Sequence, residues 1–192
     1  LLPKNDEAAK SIHADNVWEG YEYDGTGIRI AVLDSGLDTT HKDIPTPVAS
    51  KDYSNFPFLD DTIENKVTGH GTHVTGSALG RGTQSNGKYK GMAYGADLIF
   101  LKIGDDSSGG ASTAAISAAI RDAVKVYNAN IVTISYGGFN TYNDGSEEEC
   151  QAIDYAFSEG ALVFISAGNE ADGGLHYSGT VTANSTTDFI KV

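Results

Sequence analysis

Four short apolar runs stand out along the chain, at 28–33, 98–103, 131–135 and 162–166. Each is nearly continuous, with little polar alternation. Runs of this length and kind predict strands buried on both faces of a parallel sheet. Between them the period changes. Residues 112–126 are rich in alanine and set Ile116, Ile120 and Val124 four apart, the spacing of one apolar helix face. Ser112 is the natural N-cap of that helix. Ser146 and Glu149 have the spacing of a capping box, with acids in the first turn. Cys150, Ile153 and Phe157 then predict the apolar face of the next helix. Strands alternating with helices through right-handed crossovers build a three-layer α/β sandwich with a mainly parallel central sheet.

Other stretches have no period. Residues 52–66 mix aromatics and acids and predict a surface loop. Residues 80–90 contain Asn86-Gly87, a hairpin-turn signal. From His176 the chain becomes rich in threonine and serine and ends Phe189-Ile190-Lys191-Val192, which predicts a strand over part of 176–192. In open parallel sheets ligands gather beyond the carboxyl ends of the strands. Asp34, Ser135 and Asn169 all fall at or just past such ends, so they are expected to share one rim.

Composition narrows the function classes. A chain of 192 residues with 40% hydrophobic content is long enough for one domain with a sizeable core. Against 26 acidic residues stand 13 basic ones, for a net charge of −13. That excess lacks the basic footprint of a nucleic-acid binder. One cysteine, Cys150, rules out an internal disulfide or a cysteine zinc site. A buried place on a helix face is expected for it. No apolar run reaches membrane-span length. Leu1-Leu2-Pro3-Lys4 opens without the basic region and long apolar stretch of a signal peptide.

Three motifs carry chemistry. His70 sits in Gly69-His70-Gly71-Thr72-His73-Val74, at an expected helix start. The helix dipole there disfavours added positive charge, which suits a proton acceptor. His70 and His73 also have helical metal-ligand spacing, but the glutamate of a His-Glu-x-x-His site is absent. Ordinary core histidines remain a third reading. Asp34 ends the apolar run in Ala31-Val32-Leu33-Asp34-Ser35-Gly36. A carboxylate there can hold an imidazole in one tautomer and stabilise its charged form; a buried capping aspartate is the plain alternative. Asn169, in Ser166-Ala167-Gly168-Asn169, offers an amide donor or simply a turn-binding side chain.

Taken together and in this order, the three motifs resemble those of the subtilisin-like serine proteases. The resemblance runs from about Ile12 to Asn169. It implies Asp34 and His70 as two members of an Asp-His-Ser triad, and Asn169 as a donor to the oxyanion. It implies that the backbone of Ser135, Tyr136 and Gly137 pairs with an extended peptide, with Ser108 and Gly109 on the opposing edge. Tyr136 stands where the family has leucine. Asp43, in His41-Lys42-Asp43, matches an aspartate that the family often uses for a structural calcium, although the loop 80–90 departs from the usual pattern. Residues 1–175 then read as the N-terminal part of a subtilisin-like catalytic domain, and 176–192 as a tail opening an inserted β-rich domain.

No segment resembles the family's Gly-Thr-Ser-Met-Ala nucleophile motif. The expected function is therefore the N-terminal part of a secreted serine endopeptidase whose serine lies outside these residues. Its partners are a polypeptide substrate and either the remaining half of the domain or a second copy of this chain. A non-catalytic subtilase-like binding or assembly module is the alternative. A nucleotide-binding domain fits less well, because Gly25-Thr26-Gly27 precedes its strand and no Gly-x-Gly-x-x-Gly opens a helix.

Overall fold

The computed structural model describes residues 5–58, 63–64, 69–138 and 145–169. The 176–192 tail, and with it the expected inserted domain, lies outside the described residues. Two short helices come first, α1 (Asn5–Ser11) and α2 (Ala14–Tyr21). Five strands follow with three longer helices among them: β1 (Arg29–Asp34), β2 (Ala49–Asp52), α3 (His70–Leu79), β3 (Asp97–Lys102), α4 (Thr113–Lys125), β4 (Ile131–Ile134), α5 (Glu148–Ser158) and β5 (Leu162–Ile165). The strands make one sheet in the order β2-β3-β1-β4-β5. Every pairing is parallel.

The continuous apolar runs have the expected cause. Along β1, Ala31 and Leu33 face a core shared with α4 and α5, while Ile30 and Val32 face a second core with Leu37 and Leu79. β3 divides in the same way, Ile99 and Leu101 to one side and Leu98 and Phe100 to the other. Both faces of the two central strands are thus dry, and polar alternation has no place in them.

α4 begins as read, with Ser112 Oγ accepting the Ala115 N–H at 3.2 Å. α5 does not. Its cap is Glu147, with no side-chain cap hydrogen bond, and the helix opens at Glu148. Ser146 stands one residue before that cap, and its carbonyl accepts Gln151 Nε2 at 2.9 Å. The face of α5 is as expected only in part: Ile153 packs on the core and Cys150 is half-buried, but Ala152 and Ala156 are the buried residues and Phe157 is 69% exposed. α5 packs on the alanine-rich α4 through small residues, which allow close approach and leave a phenyl ring no room between the helices.

Two loop readings change as well. Tyr53 is buried in the core and donates its hydroxyl to Asp122 Oδ2 at 2.9 Å. Ile63 is buried too, so these parts of 52–66 are core, not surface. Asn86 and Gly87 both take positive φ, 52° and 83°, but the turn follows a short 3₁₀ segment, Thr83–Ser85, with no strand on either side.

Candidate active site

Asp34 is the last residue of β1, at the carboxyl end of the central strand. Its side chain is fully buried. The loop after β1 is stitched to the start of α3 by two hydrogen bonds: Asp38 N–H to Thr72 Oγ1 at 2.8 Å and Gly71 N–H to Ser35 Oγ at 3.3 Å. Gly71 is needed for this approach. A Cβ on it would lie 2.2 Å from the Gly36 carbonyl oxygen and 3.1 Å from Asp34 Oδ1.

The stitching brings the first residue of α3 onto the carboxylate. His70 Nδ1 lies 2.8 Å from Asp34 Oδ1. A carboxylate accepts, so Nδ1 carries the hydrogen, and in the neutral ring the lone pair is on Nε2. The same Oδ1 accepts the Ser35 N–H at 2.7 Å. Asp34 Oδ2 is buried with no hydrogen-bond partner among the described residues. The imidazole is 48% exposed, so a fixed carboxylate orients a ring that reaches the surface. His73 is exposed one turn on and lines another cavity with His41 and Asp43. The two histidines therefore do not form a joint site.

Asn169 lies beyond β5 and lines a cleft of about 500 Å³ with Ser135, Tyr136, Gly137 and the 166–168 segment. The Tyr136 ring connects this cleft to the histidine, standing edge-on to His70 with ring centroids 6.4 Å apart. A neighbouring cavity of about 490 Å³ runs between Gly110-Ala111 and the 136–138 backbone, floored by Ile116, Ile134 and Ile153. Ser108 and Gly109 lie in the loop after β3, just before Gly110, and the Gly109 carbonyl accepts the Tyr136 hydroxyl at 2.6 Å. The strand-end residues 34, 135 and 169 thus share one rim, as their positions in the sequence imply.

Sequence reading missed Lys102, the last residue of β3, paired in register with Asp34. Its side chain is 1% exposed. The ammonium reaches Asp52 Oδ2 at 2.9 Å and Asp106 Oδ1 at 3.0 Å. Burial works against its charge, but the two carboxylates outweigh it and raise its pKa. The triad pins the loop carrying Ser108 and Gly109 to the sheet. A lone lysine in a run such as Leu98–Lys102 was the available signal.

Asp43 sits elsewhere. Its Oδ1 accepts the Gln84 N–H at 2.9 Å and its carbonyl accepts the Arg81 N–H at 2.8 Å. Lys88 and Asp6 line the same cavity, 3.6 Å apart. Calcium needs six to eight oxygen ligands. Here a backbone donor and an ammonium meet the carboxylates, and no group of three His, Cys, Asp or Glu among the described residues is placed to hold a metal. These residues fit a cation poorly.

Residues 25–189 match the sequence model of the subtilase family. The chain belongs to the subtilase family. It is 38% identical over 165 residues to a subtilisin from Bacillus sp. (strain TA39), covering 82% of this chain and 38% of that protein. It is 30% identical over 185 residues to the minor extracellular protease Vpr of Bacillus subtilis (strain 168), covering 91% and 21%. A further relative in that strain is named a major intracellular serine protease. Among solved structures, sphericase superposes with a TM-score of 0.64 at 32% identity, covering 80% of this chain and 48% of that one. This subtilase chain therefore spans half or less of the length of these relatives, and its parallel sheet and helices are part of the subtilisin-like fold.

Proposed function

We propose that this chain is the N-terminal part of the catalytic domain of a secreted serine endopeptidase. The observation that carries the reading is the buried Asp34 carboxylate holding a half-exposed His70 at 2.8 Å, with Tyr136 edge-on to the imidazole and lining the neighbouring cleft. A serine hydroxyl from sequence beyond these residues attacks the peptide carbonyl. His70 Nε2 takes its proton and later returns it to the leaving amine. Asp34 holds the tautomer in which Nε2 is the proton acceptor and stabilises the imidazolium. Asn169 donates to the oxyanion. The backbone of Ser135, Tyr136 and Gly137 receives the substrate as an added strand. Secretion is supported by the extracellular relative, while the intracellular one shows that the scaffold serves both locations.

The test uses the complete enzyme, this chain joined to the sequence that follows it in its gene. A fluorophosphonate should label one serine, and His70→Ala should abolish the labelling. A correctly folded complete protein that takes no label would leave the non-catalytic binding module as the better reading.

A further inference from the structure

The side of the cleft opposite 135–138 is closed on itself. Asp105 Oδ1 accepts the Ser107 and Ser108 N–H groups, each at 2.8 Å. The Gly109 N–H goes to the Asp105 carbonyl at 2.9 Å, and the Gly110 carbonyl accepts the Asp105 N–H at 2.9 Å. The Gly110 N–H is taken by Ser108 Oγ at 3.0 Å. The Gly109 carbonyl is engaged as well, accepting the Tyr136 hydroxyl from the opposite side at 2.6 Å. The 135–138 rim has no comparable internal network among the described residues. An extended peptide thus meets an open edge on one side and a satisfied loop on the other.

The phenol is seated for this bond. Gly104 makes room for it: a Cβ there would stand 2.3 Å from the Tyr136 oxygen and 2.8 Å from the Gly109 carbonyl oxygen. Ser35, whose Cα also lies 3.0 Å from that Cβ position, is fixed by the Gly71 N–H, which donates to its Oγ at 3.3 Å. Burial and the nearby Asp34 carboxylate push the phenol up to about 12, so it stays a donor. A leucine at this position, as in the resembling family, has no atom that can make the bond.

Resting on the peptidase reading above, we propose that Tyr136 is a positioning residue that latches the 105–110 loop across the cleft. An extended polypeptide must displace its hydroxyl from the Gly109 carbonyl before both sides of the cleft can hold it. A short ester, which stops at the histidine, does not have to. Tyr136 is thereby a determinant of preference by substrate length.

Two measurements on Tyr136→Phe test this, since phenylalanine keeps the ring and removes only the latch. In this chain, amide hydrogen exchange at Gly109 and Gly110 should quicken about two- to tenfold, the worth of one hydrogen bond, while α4 is unaffected. In the complete enzyme, the KM for a long peptide should fall about two- to tenfold relative to that for a single-residue ester. Unchanged exchange would overturn the latch. An unchanged or raised KM ratio would overturn its role in selecting substrates. Failure of the peptidase reading looks different: neither wild type nor variant turns over substrate or takes a serine label, whatever the exchange shows.

Discussion

A single carboxylate oxygen does most of the organising at this site. Asp34 Oδ1 serves both the His70 ring and the Ser35 backbone. An amide in its place keeps the shape but favours the other imidazole tautomer. Asp34→Asn in the complete enzyme should lower kcat on the order of 10⁴-fold, the scale known for serine proteases, with little change in thermal midpoint. Asp105 makes a prediction about acid. The Ser107 hydroxyl, then that of Ser108, holds its carboxyl well below the ordinary value of 3.8. A depressed folded pKa gives stabilisation that is present above the unfolded value and lost as pH falls through the folded one. Protection of the Ser107 and Ser108 amides should therefore persist at pH 3.8 and vanish only in stronger acid. Melting of this turn centred on the ordinary carboxylate range would contradict the assignment.

At the scale of elements, the three strands that carry the site were readable because burial on both faces leaves one signature, the unbroken apolar run. The helix α4 was readable from its four-residue spacing and Ser112. β2 was not, because Ala49–Asp52 is an edge strand of four residues with no apolar pattern. Phe157 was misread because periodicity reports which residues share a face, not how closely the neighbouring helix approaches. Lys102 escaped notice for a related reason: its partners Asp52 and Asp106 come from a different strand and the following loop. Those partners are unequal. Asp52 is buried and Asp106 is 43% exposed. Lys102→Met strands a buried carboxylate and should cost about 3–5 kcal/mol in chemical denaturation. Asp106→Asn breaks only the wetter contact and should cost less than about 1 kcal/mol. Equal effects would mean that the two contacts share the load.

For the molecule as a whole, the exposed surface is as informative as the core. β5 lies at one end of the described sheet. Leu162, Phe164 and Ile165 along it are each about half exposed, and Phe157 of α5 is next to them in the layer order. Four large apolar side chains at the end of the described sheet make a surface that soluble proteins cover. The chain spans 38% of one relative and 48% of a solved structure that it resembles, and the remainder of such a domain is the proposed cover. The isolated chain should run in light scattering as a species larger than its 20.2 kDa. Co-expression with the sequence that follows it should give a single monodisperse protein instead. A stable 20.2 kDa monomer without partner would count against this reading of the edge.

β1 holds the middle place in the sheet, with β3 and β4 hydrogen-bonded on either side. Cooperative units of a fold open from their margins, where ladders end and solvent enters. Fraying at β2 or β5 must pass through a neighbour before it reaches Asp34. The strand that presents the proton-transfer pair should therefore hold the slowest-exchanging amides of the chain, those of 31–33. In the complete enzyme, heat should then extinguish turnover at the same temperature at which the last core amides open, with no earlier loss of activity from a locally melted site.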